Sequence, residues 1–582
     1  MSLFAARRPA PGIRPGDDFQ SSAAAVRLDG VKMRALETGR TRLVVTGIVF
    51  LAAFAVIGVR MVDVAVLDRA PKSRPAAQAR GEPDIERADI VDRNGVILAT
   101  SLPTVSLYAK AHEIQNPAEA AAKLVSVLPD LDKDDTGAKL GTGRPFVYLR
   151  RNLTPRQQYD VNALGIPGLY FEKGERRVYP HGSLVAHIVG MTDLDNKGIA
   201  GIEKRFDAPL RTNGEPLRLA IDIRLQTIVR NEVAAQVAAF EAIGGVGLVM
   251  DVRTAEVLAM VSLPDFDPNE PPAGDDASMF NRATKGLYEM GSTFKLFNTA
   301  AALDSGTATV ASSYDARGVF HFHDANIHDD HPENRWLTVP EILVHSSNIG
   351  SAKMALEMGA ANQRAFLTKV GLLAQAPIEL PEVASPQFPN PWREINTATI
   401  AFGHGVSVTP LHLATGVSAL VNGGEYRPPT LLAHDDADAI PGSRIAKRKT
   451  SDTMRQLMRM VVEEGTGRKA DVPGYQVGGK TGTAEKAVNG SYKKKAVLSS
   501  FVAAFPMDDP RYCVLVMVDE PQGNKESHGF ITAGWTAAPA VARIVEQIAP
   551  LAGLAPHKEP TGSGGGKGIV NGRGGREVAA AE

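Results

Sequence analysis

Cysteine, tryptophan and aromatic residues in general are scarce in this chain: one Cys, three Trp and 6% aromatics in 582 residues. A single thiol, Cys513, excludes an internal disulfide framework and a cysteine-only zinc site within one chain. A chain of this length can bury a large core without staples, so an extracytoplasmic location stays open. Excess charge of one sign is also missing, since Lys+Arg 64 against Asp+Glu 65 leaves a formal net charge of −1. That argues against a nucleic-acid partner, because phosphate binding needs concentrated positive charge. The basic runs Arg444 to Lys449 and Lys493 to Lys495 therefore read as solvated surface.

What is present begins with one apolar run. Leu43 to Val59 is seventeen residues without a charge, extended past Arg60 by Met61 and Val62. At about 1.5 Å per residue, roughly twenty residues just cross a hydrocarbon core of about 30 Å if Arg60 snorkels to the interface. The alternative is a cleavable signal peptide. The leader before it is too long for that class, and no small-x-small cleavage site follows. Residues 42–62 are therefore expected to be an uncleaved signal anchor. Charge hardly orients it: Arg27, Lys32, Arg34, Arg40 and Arg42 precede it, while Arg60, Arg69, Lys72 and Arg74 follow.

The rest divides by composition. Residues 1–41 read as a disordered tail and 63–83 as a Pro-, Ala- and Arg-rich juxtamembrane linker. Residues 84–216 form an irregular α+β module, with turn signals at Asp92-Arg93-Asn94-Gly95 and Tyr179-Pro180-His181-Gly182. Residues 217–555 carry a helix over Leu225 to Ala242 and hairpins Val246–Val252/Val257–Leu263 and Leu498–Phe505/Tyr512–Asp519. Helical patterns lie between the hairpins, and a last helix covers Ala537 to Leu551. The fold class this predicts is α+β, with an antiparallel sheet flanked by helices. Residues 556–582 are a flexible tail; eight of the fourteen residues from Gly562 to Gly575 are glycine.

Three short motifs carry chemistry. Ser292-Thr293-Phe294-Lys295 opens a helical pattern, so Ser292 and Lys295 project from one side of its first turn. A serine hydroxyl needs a base, and lysine serves as one only when burial and nearby cations lower its pKa. Ser346-Ser347-Asn348 is the only Ser-x-Asn, and Lys480-Thr481-Gly482-Thr483 holds the only Lys-Thr-Gly. The latter follows Gly478-Gly479, glycines that would allow a ligand to approach the backbone of a strand closely. Lysine beside threonine hydroxyls would seat a carboxylate, and an extended peptide could add to such a strand. A second Ser-x-x-Lys, Ser491-Tyr492-Lys493-Lys494, sits among polar residues and reads as a surface turn.

Each motif alone is weak. In this order they are the signature of penicillin-binding proteins and serine β-lactamases. The chain resembles a class B penicillin-binding protein, a monofunctional peptidoglycan D,D-transpeptidase. Further matching pieces are Leu263 to Asn269, Asn281-Arg282-Ala283, Phe402-Gly403-His404-Gly405 and Val408-Thr409-Pro410. Upstream, Asp92 to Gly95, Arg176 to Pro180 and Gly198 to Glu203 resemble the family's non-catalytic pedestal, also called its dimerisation domain. Ser346-Ser347-Asn348-Ile349-Gly350 resembles the septal, cell-division branch (FtsI type); the elongation branch usually has Asp at the Asn348 position. Met290 stands where many relatives have proline.

The resemblance implies that Ser292 attacks the penultimate D-Ala carbonyl of a stem peptide and that Lys295 is the general base. It implies that Ser346 relays a proton to the leaving amine and that Asn348 holds the substrate amide and Lys295. Lys480 would supply positive potential and position Ser346. Thr481 and Thr483, flanking Gly482, would bind the terminal carboxylate. Backbone N–H groups of Ser292 and Thr483 would form the oxyanion hole. β-Lactams would acylate the same serine, and the substrate's location would place the catalytic domain outside the cytoplasmic (inner) membrane. No cofactor or metal is implied. Partners implied are peptidoglycan stem peptides on lipid-linked nascent glycan strands, other divisome membrane proteins and a SEDS-type glycosyltransferase, because no polymerase module fits before Leu217.

A D,D-carboxypeptidase or β-lactamase, with water as acceptor, is the competing enzyme reading. A scaffold or β-lactam sensor without turnover is the non-enzyme one. His321, His323, His328 and His331 with Asp324, Asp329 and Asp330 crowd eleven residues; this segment reads as polar surface before the Ser346 helix rather than a metal site. His345 reads as packing and His404 as a turn residue. Trp336 and Trp535 also read as packing residues.

Overall fold

The structure is a computed structural model. It describes residues 47, 48, 50–52, 54 and 55, then 87–323, 325–435, 441–488 and 491–557, without the side chains of 487, 488 and 491–495. The chain falls into two compact units, Met1–Glu82 and Pro83–Glu582. In the first, the seven described residues are helical and exposed. Most of the expected anchor 42–62 lies outside the described residues, as do the expected tail 1–41, the linker 63–83 and residues 558–582 of the C-terminal tail. Among the described residues no helix is long and apolar enough to cross a membrane.

The second unit opens with a five-stranded sheet. Its strands are β1 (Ile90–Val91), β2 (Ile97–Ala109), β3 (Val147–Leu153), β4 (Leu169–Val178) and β5 (Leu217–Arg218). Their order is β3-β2-β1-β5, with β4 also on β2. Asp92 makes the β1–β2 turn, its Oδ1 accepting from the Asn94 and Val96 amides at 2.7 and 2.9 Å. Helices α1 (Pro117–Val127), α2 (Lys133–Leu140) and α3 (Pro155–Ala163) bury Leu124, Leu140 and Val161 against Leu107, Leu149 and Leu153 of the sheet. Asn116, Asp132 and Thr154 cap their first turns by accepting from the third backbone N–H.

The root of this region is a buried charge network. The Glu203 carboxylate, fully buried, accepts from Arg87 Nε at 2.6 Å and Arg177 Nε at 2.7 Å. Arg177 also donates to the Arg87 and Ala88 carbonyls, and Arg87 to Asp207 Oδ1 at 2.8 Å. Such burial is tolerated because the ions are paired and further hydrogen-bonded. It also joins Arg176–Pro180 to Gly198–Glu203, two segments distant in sequence.

The larger sheet begins after α4 (Ile223–Ala239), which Asp222 caps through the Arg224 amide. Next come β6 (Gly244–Asp251), β7 (Val257–Leu263), α5 (Phe294–Ser305), α6 (Asn348–Met358), α7 (Pro410–Val421) and α8 (Arg448–Glu463). The chain closes with β8 (Gly478–Val488), β9 (Ser491–Phe505), β10 (Tyr512–Asp519) and α9 (Ala538–Leu551). Strand order is β8-β9-β10-β6-β7, antiparallel throughout, so β8 is an edge. α4 and α9 cover one face through Val229, Val233, Ile544 and Ile548. α7 lies on the other and is buried along its whole length, with the Thr415 and Ser418 hydroxyls donating back to the Leu411 and Ala414 carbonyls. Gly247 lets α4 approach β6: a Cβ there would meet Val233 Cγ2 at 2.8 Å.

One expectation is corrected. Ser491 to Lys494 is not a turn; its backbone opens β9, with Ser491 opposite Val488 and Tyr492 opposite Ala487. The hairpin extends past the rest of the sheet, where polar residues can sit in extended backbone.

His187 ties the first part of the unit to the second. Its Nε2 is 2.8 Å from the Ser278 carbonyl and its ring stands edge-on to Phe266 at 5.5 Å. Burial disfavours the imidazolium and lowers its pKa to about 4. The unfolded value is about 6.5. The unfolded chain therefore takes up the proton first, and stability that is intact above pH 6.5 falls as pH drops toward 4. Urea midpoints at pH 7 and pH 4.5 should show a larger acid loss for wild type than for His187→Gln. Equal losses would rule this contribution out.

Candidate active site

The Ser292 segment is a short 3₁₀ turn, Gly291–Thr293, leading directly into α5, where Lys295 is the second residue. Thr293 Oγ1 closes the turn by donating to the Met290 carbonyl at 2.9 Å. Gly291 has φ +53°, and a Cβ there would stand 2.7 Å from the Thr483 carbonyl, so only glycine lets this turn lie against β8.

The structure brings together Ser292, Lys295, Ser346 and Lys480. Lys295, with 0% exposure, donates from Nζ to Ser292 Oγ at 2.9 Å, to Ser346 Oγ at 3.1 Å and to the Ser346 carbonyl. Lys480, also at 0%, donates from Nζ to Ser346 Oγ at 3.0 Å and to Thr481 Oγ1 at 3.2 Å. One hydroxyl thus accepts from two ammonium groups, which leaves its own proton free for a third partner. Ser346 itself holds φ +57°, a left-handed conformation that a non-glycine residue keeps only when its surroundings enforce it.

Burial pushes the Lys295 pKa well below the ordinary lysine value, and the Lys480 charge pushes the same way. Asp329 and Asp330 oppose that shift. Burial and the Lys480 charge thus favour the neutral amine over the ammonium beside Ser292. A hydroxyl, a buried lysine able to act as its base and a second hydroxyl able to relay a proton lie within one hydrogen-bonded chain, an arrangement that suits acyl transfer.

Other predicted residues fare differently. Asn348 does not reach Lys295; its Nδ2 donates to the His328 carbonyl at 3.1 Å. Thr481 Oγ1 lies 2.7 Å from Thr466 Oγ1, and Thr483 Oγ1 accepts from the Ala533 amide at 3.3 Å. The glycines around the Lys-Thr-Gly make room for the protein rather than for a ligand. A Cβ at Gly479 would meet the Val502 carbonyl at 2.5 Å, and one at Gly482 the Met290 carbonyl at 2.5 Å. Gly478 likewise faces Met507 Cε.

His345 is not a packing residue: it is half-exposed, with Nδ1 3.2 Å from Glu333 Oε1. Trp336 is 55% exposed, because its short strand lies at the surface. Trp535 does pack, stacked on Phe530 at 5.7 Å. His404 sits between Gly403 and Gly405, both at positive φ, with its ring edge-on to Phe402. In the His/Asp segment Asp324 lies outside the described residues. Among the described residues no three His, Cys, Asp or Glu side chains converge as a metal site. The segment is not all surface, since Asp329 is buried beneath the Ser346 turn.

Sequence reasoning missed two supports. Asn298, one turn after Lys295, donates from Nδ2 to Ser351 O at 3.0 Å, tying α5 to α6. Glu289 Oε1 accepts from the Gly405 amide at 2.8 Å. Neither pair has a local signature; only the fold brings them together.

Comparison with known proteins adds the following. A family model described as penicillin binding protein transpeptidase domain matches residues 245–541, and one described as penicillin-binding protein dimerisation domain matches 84–216. The probable peptidoglycan D,D-transpeptidase FtsI of Caulobacter vibrioides is 42% identical over 487 residues, covering 80% of this chain and 82% of that protein. The peptidoglycan D,D-transpeptidase FtsI of Escherichia coli K12 is 30% identical over 487 residues, covering 77% and 81%. Among solved structures, penicillin binding protein 3 of Mycobacterium tuberculosis complexed with aztreonam aligns with a TM-score of 0.64 and 24% identity, over 82% of this chain and 98% of that one.

A buried lysine with a lowered pKa costs stability. Its unfolded form holds the proton up to about pH 10.4, so the cost is greatest at low pH and vanishes above that value. Lys295→Met should therefore unfold later than wild type at pH 7, because the desolvation cost leaves with the charge. The gain should shrink as pH rises. A less stable variant at pH 7 in chemical denaturation would contradict this.

Proposed function

This chain belongs to the penicillin-binding protein transpeptidase family, and from that premise we infer that it is a peptidoglycan D,D-transpeptidase of the cell-division type. It is a serine-type D-Ala-D-Ala acyl transferase. The observation that carries the catalytic assignment is the contact of the fully buried Lys295 Nζ with Ser292 Oγ at 2.9 Å.

In the proposed reaction Lys295, as free amine, takes the Ser292 proton while Oγ attacks the carbonyl of the penultimate D-Ala. The oxyanion forms beside the adjoining Gly291–Thr293 turn and β8, where backbone N–H groups of Ser292 and Thr483 receive it. One such donor is typically worth roughly 3–4 kcal/mol. Ser346, held by Lys480, passes its proton to the departing nitrogen and receives from Lys295 the proton taken from Ser292; the C–N bond breaks and D-Ala leaves. The amine of a neighbouring stem peptide then attacks the acyl-enzyme, forms the cross-link and restores the Ser292 hydroxyl. Thr481 and Thr483 seat the terminal carboxylate of a stem peptide lying along the β8 edge. Asn348 Oδ1 accepts from the substrate amide while its Nδ2 stays on the His328 carbonyl.

β-Lactams acylate Ser292 in place of the stem peptide. The relative from Mycobacterium tuberculosis complexed with aztreonam supports that reading. Residues 42–62 serve as a single-pass anchor in the inner membrane, with the catalytic unit on its periplasmic side. The anchor and the sheet around β2, which is the pedestal of this reading, face a SEDS-type glycosyltransferase and other divisome membrane proteins.

Intact-mass spectrometry of the full chain with a β-lactam tests this. Wild type should carry a long-lived adduct and Ser292→Ala none. Prompt loss of the adduct would indicate a hydrolase instead. No adduct on folded wild type would indicate a scaffold.

A further inference from the structure

The Ser346 hydroxyl is useful only where it sits, between two lysines, and its left-handed backbone does not favour that place. Its immediate neighbours hold it. Ser347, buried, donates from Oγ to Asp329 Oδ2 at 2.7 Å, and the Ile349 amide donates to Asp329 Oδ1 at 3.0 Å. Ser347 Oγ in turn accepts from the Gly350 amide at 3.0 Å, capping α6. The adjoining His328 carbonyl takes the Asn348 side chain. One carboxylate, 8% exposed, therefore grips the residues on either side of Asn348, directly after Ser346.

We propose that Asp329 is a positioning residue for acyl transfer, whose buried carboxylate clamps Ser347 and Ile349 and so holds Ser346 Oγ between Lys295 and Lys480. The proposal rests on the assignment of Lys295 as base and Ser346 as relay. Its negative charge has a second effect. The charged groups acting on Lys295 are Lys480 from β8 and Asp329 and Asp330 from the segment before α6. The lysine favours the free amine and the two carboxylates favour the ammonium. Asp329 thus sets both the place of the relay and the pH at which the base becomes free.

Hydrogen-bond and charge roles separate by substitution. Ser347→Ala removes the clamp's hydroxyl and keeps the anion; Asp329→Asn removes the anion and keeps an acceptor for the Ile349 amide. The readout is the rate constant for acylation of the full-length chain by a chromogenic β-lactam, from pH 5 to 9. Wild type should show an acid limb, as a lysine base requires. Both variants should lose about 10- to 100-fold in the plateau rate, the range expected for small misplacement of a reacting group. Only Asp329→Asn should also move the acid limb to lower pH, by about one unit. Asp329→Glu should recover the wild-type limb position.

A limb that stays put in Asp329→Asn, or a plateau equal to wild type in either variant, would overturn the proposal. An acid limb absent from wild type would instead overturn the assignment of Lys295. Thermal unfolding of each variant checks folding. If Asp329→Asn does not fold, Ser347→Ala still decides the clamp.

Discussion

Burying two lysine side chains around one serine hydroxyl is the constraint on which the rest of this structure depends. An ammonium group inside a protein costs several kcal/mol unless its donors are met. Lys295 meets this with two hydroxyls and a carbonyl, and it also lies where losing its proton is easiest. The cost of burial and the chemistry of the base are one effect seen twice. What lowers the lysine's affinity for a proton in the resting protein makes it able to take one from Ser292.

That arrangement requires three chain segments to converge without a covalent link. α5 brings Ser292 and Lys295, the turn before α6 brings Ser346, and β8 brings Lys480. The small residues between them set the distances: Gly291 against Thr483, Gly482 against Met290, Gly403 against Gly291. Behind them the buried helix α7 packs against the strands β6 and β10. Because β8 is a sheet edge, the strand that holds Lys480 is also the one along which the proposed reading lays an extended substrate.

Much of this was legible in the sequence, for physical reasons. The β6–β7 and β9–β10 hairpins of the larger sheet show as apolar runs broken by turn residues, and α9 shows as a periodic apolar face; the β8–β9 hairpin does not. Ser292, Lys295, Ser346 and Lys480 were named from motif order and do meet in space. What was hidden depended on long-range partners. Asp329 looked like one more polar residue in a histidine-rich stretch, since its role comes from an amide and a hydroxyl about twenty residues away. Gly478 and Gly479 looked like space for a ligand, whereas side chains and carbonyls of neighbouring segments fill it. Of the Arg87–Glu203–Arg177 network, Arg177 and Glu203 lay in separate short matches and Arg87 in none. Trp336 was read as a packing residue, whereas its short surface strand leaves it 55% exposed.

The central claim is that Lys295 is held with a lowered proton affinity before any substrate binds. NMR titration of the Lys295 side chain in the full-length protein, labelled at lysine Cε and assigned with Lys295→Met, tests it most directly. The account predicts a titration well below the usual lysine range, moving back upward in Lys480→Met as the neighbouring charge is removed. A Lys295 signal that titrates near the ordinary value of about 10.4 would contradict the account.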